Sequence, residues 1–264
     1  MAELVTSIAA KKARLDQLRP LSPEALVNLE HYYDIELTYT SNAIEGNTLS
    51  PVETTLVIEK GITVGGKPLK DHLEALDHYD AIRYVRELAR YETPLTESDV
   101  RNLHKLVVQR SAPEIAGQYA ALPRHVRTET GRYTFPSPAE VPALMGDFAA
   151  WLRTTPYTPD AAFTAHRRLV GIHPFSDGNG RTARLLMNLI LIRGGYPPVA
   201  VRPEDRLTYI RSLQDEQAGQ GSERFNRLLY ERLDATLGEY LGALQETPTP
   251  QSRHDKSGGF EPKP

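Results

Sequence analysis

The chain has 264 residues, enough to bury a sizeable core, and no cysteine, which excludes disulfides, thiolate chemistry and Cys-type zinc sites. Lys and Arg number 31 against 34 Asp and Glu, a net charge of -3 that argues against a broad nucleic-acid footprint; basic residues gather only locally, as at Arg124-His125-Val126-Arg127 and His166-Arg167-Arg168. Residues 1–12 lack the order of a signal peptide and the longest apolar run, 185–192, is too short to span a bilayer, so the expectation is a soluble cytoplasmic protein that engages neither membrane nor nucleic acid.

In chain order the pattern is mostly helical. Ser22-Pro23 places a cap ahead of a proline at the first helical position, and Leu26, Leu29, Tyr33 and Leu37 recur at helical spacing, which predicts a helix ending near Glu45. Ser50-Pro51-Val52-Glu53 reads as a capping box that opens a helix closed by Gly61. Residues 71–91 carry Leu73, Leu76, Ile82, Val85 and Leu88, and Thr96-Glu97-Ser98-Asp99 starts a further helix towards Val108. Over 123–138 the helical period lapses, and Val126, Thr128, Thr130, Gly131, Tyr133 and Phe135 suit a short hairpin turning near Gly131. Helices resume over 138–152 and 159–170, and 181–192 reads as an apolar helix buried on most sides. Two more follow Pro203 to about Leu244, after which the Pro-, Gly- and Ser-rich tail has too little apolar content to fold.

The segment His173-Pro174-Phe175-Ser176-Asp177-Gly178-Asn179-Gly180-Arg181-Thr182-Ala183-Arg184 carries the chemistry. A Gly-Asn-Gly turn lets backbone N–H groups converge, and a helix starting there adds partial positive charge for an anion. Arg181 and Arg184, at i and i+3, fall on one helical face and could reach one polyphosphate together. Asp177 is a hard oxygen ligand placed for Mg2+ bridging phosphates, and His173 suits removal of a proton from an attacking hydroxyl. Phe175 reads as the apolar anchor of the loop.

These residues resemble the signature of Fic-domain proteins, His-x-Phe-x-Asp/Glu-Gly-Asn-Gly-Arg-x-x-Arg, at every specified position. Upstream, Ser41-Asn42-Ala43-Ile44-Glu45-Gly46 is similar to the inhibitory motif of that family, Ser/Thr-x-x-x-Glu-Gly/Asn; on its own it would also suit an ordinary helix end with Gly46 just past it. The resemblance implies an all-α Fic fold, a helical bundle with a short β-hairpin flap, organised as an N-terminal helical region with the inhibitory helix at 1–95, a Fic core with flap and signature loop at 96–202, C-terminal helices at 203–245 and a disordered tail at 246–264. It implies transfer of AMP from ATP, with Mg2+, to a Ser, Thr or Tyr hydroxyl of an unidentified target protein or of the chain itself. His173 would be the base and Asp177 the metal ligand. Gly178, Asn179, Gly180, Arg181 and Arg184 would cradle the phosphates, and Ser41, Glu45 and Gly46 would restrain transfer. The flap edge, Arg127, Thr128, Glu129, Thr130 and Gly131, would align the target main chain. Kinase-like relatives have Lys at the position of Gly180, so the glycine favours nucleotidyl transfer. Tyr209 resembles a position that packs near the base, whereas Gln217 stands where relatives often have Asn. Relatives of this arrangement often form homodimers.

Two other readings remain open at this level: a hydrolase that removes AMP with Glu45 positioning water, and a silent nucleotide-binding module, against which the intact His173 and Asp177 speak. The P-loop-like run Gly61–Pro68 ends in Pro68 where Ser or Thr should hold Mg2+, and reads as a Gly-rich connection. A metal triad of His166, His173 and Asp177 leaves the Gly-Asn-Gly turn unexplained, so His166 is expected to be a polar residue on the preceding helix. His72, His78 and His104 read as solvated or satisfied side chains.

Overall fold

Ten α-helices and one hairpin are present among the residues described by the computed structural model, 1–128 and 131–246. They are α1 (Ala2–Gln17), α2 (Pro23–Ile44), α3 (Pro51–Lys60), α4 (Leu69–Ala89), α5 (Glu97–Val108), the strands β1 (His125–Thr128) and β2 (Gly131–Thr134), α6 (Val141–Thr154), α7 (Pro159–Ile172), α8 (Asn179–Arg193), α9 (Arg206–Gln217) and α10 (Glu223–Glu246). Side-chain caps set several starts as the sequence predicts. Ser22 accepts from the Ala25 N–H, and Ser50 and Thr96 form reciprocal capping boxes with Glu53 and Asp99.

α6 begins later than its apolar pattern predicts, because the Ser137 N–H and hydroxyl both donate to Glu140 and hold a turn there. α1 is a helix that the sequence reading left unassigned; it lies against α10, where Ser7 and Lys11 donate to Asp234. The hairpin is antiparallel with Val126 opposite Tyr133 and Arg127 opposite Arg132. The expected docking residues Glu129 and Thr130, and the expected tail beyond residue 246, lie outside the described residues.

α8 is the axis of the bundle. From Thr182 to Leu191 every residue is buried, as the apolar run predicts, with α7, α4 and α5 packed around it. The middle of α4 is tied to the segment just past α5 by Asp77, fully buried, which accepts the Arg110 and Ser111 N–H groups at 2.9–3.1 Å together with the Ser111 hydroxyl and the Arg110 guanidinium. Removing that carboxylate takes the acceptor from two backbone N–H groups and two side chains at once, so Asp77→Ala should lower the unfolding free energy by about 3 kcal/mol in urea titrations. A loss below about 1 kcal/mol would show that the tie is dispensable.

Candidate active site

α7 ends at His173, whose left-handed backbone (φ 50°) turns the chain out of the helix while its N–H still bonds the Leu169 carbonyl at 2.9 Å. Few non-glycine residues accept that conformation. The imidazole lies flat on Phe135, the residue after β2, with ring centroids 3.8 Å apart. Its Nδ1 is sealed from solvent, which leaves Nε2 as the nitrogen able to meet a hydroxyl. Burial pushes the His173 pKa down to about 4; the Val170 carbonyl and the carboxylates of Glu45 and Asp177 oppose this, and Arg124 adds to it.

The loop after His173 is pinned from below. Phe175 is fully buried and stacks face to face on His104 of α5, centroids 3.7 Å apart. The Asn179 amide accepts from the Phe175 N–H and donates to the Phe175 carbonyl, at 2.9 and 2.7 Å. Its side chain, expected in the phosphate cradle, closes the turn with its oxygen and one of the two N–H donors of its amide. His104 receives the Gly117 N–H on Nδ1, so its Nε2 carries the proton and donates to the Asp177 carbonyl at 3.0 Å. Gly178 is left-handed (φ 74°) and packed so closely that a Cβ would lie 3.1 Å from Val108 and 3.3 Å from His104.

This turn opens α8. The first helical bond runs from Thr182 N–H to the Gly178 carbonyl, leaving the N–H groups of residues 179–181 facing outward at a positive helix end. Asp177 accepts from the Gly178 N–H at 2.6 Å and its side chain is half exposed, with Arg181 a distant 3.4 Å away. Among the described residues no group of three or more metal-ligating side chains exists. A single open carboxylate next to phosphate donors suits Mg2+, which keeps water and substrate oxygens as its other ligands.

Arg181 and Arg184, expected to reach one polyphosphate together, have different protein partners. Arg181 is buried against Glu74 of α4 at 3.2 Å. Arg184, also buried, donates through Nε to the Ser41 hydroxyl at 2.9 Å, through Nη2 to the Ser41 carbonyl at 2.9 Å and to Glu45 at 2.7 Å, and through Nη1 to the Tyr209 hydroxyl at 3.3 Å. Ser41 lies in the last turn of α2, Glu45 caps that helix and Gly46 (φ 99°) turns the chain away. The Glu45 carboxylate occupies the space a Cβ on residue 180 would need, so a side chain there would push the carboxylate aside. Tyr209 is buried, and its hydroxyl also meets His166 Nε2 at 2.8 Å. His166 is therefore a buried member of the Arg184 network, and burial drives its pKa well down.

His173, Glu45, Gly180 and Arg184 line one cavity of about 300 Å³, with Gln217 and Tyr209 on its far wall and Val126 and Arg127 of the flap at its rim. Gln217 keeps a buried amide oxygen without a partner. The sequence reading missed Glu74 and His104 as site residues. Nothing in their local pattern marks them; they reach the loop only because α4 and α5 pack on α8.

Residues 94–191 match the Fic/DOC family. A Fic domain containing signaling protein from Bacteroides thetaiotaomicron has the same fold, with a TM-score of 0.83 and 32% identity over 90% of this chain and 97% of that one. The chain belongs to the Fic/DOC family. Fic-1 of Caenorhabditis elegans superposes with a TM-score of 0.79 at 31% identity, covering 92% of this chain and 71% of that one. A protein adenylyltransferase Fic of Aedes aegypti is 34% identical over 262 residues, 94% of this chain and 51% of the relative. The chain spans about half the length of the curated relatives it matches. Among the described residues, no helix of this Fic protein is long and apolar enough to cross a membrane.

Two buried histidines behind Arg184 make stability acid-sensitive. Burial lowers His78 to about 3 and His166 well below its usual range, the Arg184 charge adding to both. The unfolded chain binds protons at about pH 6.5 that the folded chain refuses, so stability is full above that pH and falls as pH drops towards 4, by up to ~1.4 kcal/mol per unit per group. Asp34, raised to about 6 by burial, and Glu36, also raised, work in the opposite sense, but His104 and His173, each lowered to about 4, join the two histidines on the acid-sensitive side. Denaturation at pH 7 and 5 should show the folded state weaker at pH 5, and His78→Gln should flatten the slope; equal stability at both values would contradict this burial.

Proposed function

We propose that this Fic protein transfers AMP from ATP to a Ser, Thr or Tyr hydroxyl of a protein and that Glu45 restrains the reaction. The observation that carries the reading is the shared guanidinium: Arg184, at the phosphate end of the cavity that holds His173, is already gripped by Glu45 and Ser41. A carboxylate in that position competes with a γ-phosphate for the same donors.

The chemistry follows from the residues around the cavity. As the target oxygen bonds the α-phosphorus, Nε2 of His173 takes the hydroxyl proton, and the bond to pyrophosphate breaks. The backbone N–H groups at the start of α8 face the charge that develops on the phosphoryl oxygens, and Arg181 and Arg184 face the leaving pyrophosphate. Asp177 would hold Mg2+, which neutralises phosphate charge when bound. Phe135 fixes the plane of the imidazole, so the base meets the flap-aligned target in one orientation. Gln217 and Tyr209 flank the space left for the base of the nucleotide. Gly180 supports nucleotidyl over phosphoryl transfer, because kinase-like relatives have Lys at that position.

Glu45→Gly should raise transfer at least tenfold over wild type, since a displacement of about an ångström at the reacting phosphorus costs on the order of a hundredfold. Intact-mass spectrometry after incubation with ATP and Mg2+ reads added AMP, and label from the α-phosphate, not the γ-phosphate, should reach protein. No gain in the variant would sink the restraint; γ-label on protein would sink AMP transfer. In the Glu45→Gly background, His173→Ala should abolish transfer while calorimetry still detects ATP.

The pH profile is a separate check. His173 acts when neutral and its pKa is about 4, so the rate should hold from pH 7 down to about 5 and fall only as pH drops through about 4. An acid limb at the usual histidine value of about 6.5 would contradict the buried base.

A further inference from the structure

The outward face of the flap sets two arginines side by side. The strand register sets Arg127 directly opposite Arg132, both exposed, with His125 and Thr134 the next pair on the same face. Like charges in directly opposite positions repel. Among the described residues no carboxylate pairs with either guanidinium; Arg132 reaches only His125, Nη2 to Nδ1, at 3.1 Å. At the base of the hairpin Arg124 is buried, its guanidinium spent on the Leu122 and Pro136 carbonyls and its Nε without a partner. Three arginines thus stand in 124–134 against a single acidic residue, Glu129.

The position of β1 turns this charge into a specificity device. Val126 and Arg127 border the cavity of His173, and no residue of β2 does. A target segment that adds to the free edge of β1 becomes a third strand whose side chains alternate between the two faces. Its hydroxyl residue must face the cavity, on the Val126 side. The residues immediately before and after it then face outward, one beside Arg127 and the other beside His125, with Arg132 one strand away.

We infer that the segment this flap recognises is acidic, with Asp or Glu directly flanking the modified residue. Two carboxylates there would replace the Arg127–Arg132 repulsion with charge-assisted pairs, whereas Lys or Arg in those places would add to it. The orientation of the segment rests on the transferase reading, since that reading sends the hydroxyl inward; the charge preference rests on the flap alone.

Three fluorescein-labelled peptides, identical except for Glu-Ala-Glu, Gln-Ala-Gln or Lys-Ala-Lys at the centre, test it by anisotropy on the whole chain. The central Ala makes binding independent of transfer. The acidic peptide should bind about tenfold more tightly than the basic one at ~50 mM salt, with the gap closing at ~0.5 M. Combined Arg127→Glu and Arg132→Glu substitution should invert the order. Equal affinities, no binding by any peptide, or an order that survives the charge reversal would overturn the inference. The same peptides with Ser at the centre, given α-labelled ATP and the Glu45→Gly protein, separate it from the reading beneath it: a retained binding order with no AMP on any peptide would sink the transferase reading and leave the acidic preference standing.

Discussion

The rest of the site depends on where the buried guanidinium of Arg184 finds its counter-charge. A cation removed from water is costly unless it is paired and its N–H groups are bonded, and α8 carries Arg184 into the middle of the bundle. Ser41, Glu45 and Tyr209 together take up its donors. The ligation is built unevenly. Ser41 and Tyr209 are buried and fixed, while Glu45 has its side chain 40% exposed, so water screens its share of the attraction. In the proposed reaction a triphosphate takes the place of Glu45, so that Arg184 exchanges one anion for another without ever standing unpaired.

The helix geometry makes that exchange bear on catalysis. Glu45 lies against Gly180, in the first turn of α8, where the open N–H groups also begin. A carboxylate held at the positive end of a helix occupies the place an anionic substrate needs, through both the guanidinium and the helix terminus. Behind it, Arg181 pairs with Glu74, and Glu74 accepts from Asn47 two residues past Glu45. The loop that leaves α2 and the Arg181 guanidinium thus share one carboxylate on α4. The base side is fixed separately, by Phe135 on the His173 ring and by His104 under the loop.

Much of this was legible in the sequence, for reasons that differ between its parts. The signature loop could be read because its requirements are local: Gly178 must be left-handed, Gly180 must be small, and His173, Asp177 and the arginines follow at short range. Helix starts at Ser22, Ser50 and Thr96 could be read because capping is a matter of three or four consecutive residues. The roles of His104, Glu74 and His166 could not, since each depends on a partner far along the chain and each looks like an ordinary polar residue on an amphipathic helix. Asn179 has a second task that its residue type does not announce: its amide oxygen and one N–H close the turn on Phe175. α1 escaped notice because its apolar positions are sparse, and its charged residues find their partner only on α10.

The most direct test of the account is a crystal structure of the wild-type and Glu45→Gly proteins, each with Mg2+ and a non-hydrolysable ATP analogue. The account predicts that Arg184 stays with Glu45 in the wild type and the α-phosphorus stands away from His173, whereas in the variant Arg184 contacts the γ-phosphate and the α-phosphorus leaves room for a hydroxyl about 3–3.5 Å away, in line with the leaving oxygen. The same triphosphate pose in both proteins, with Arg184 unmoved, would contradict it.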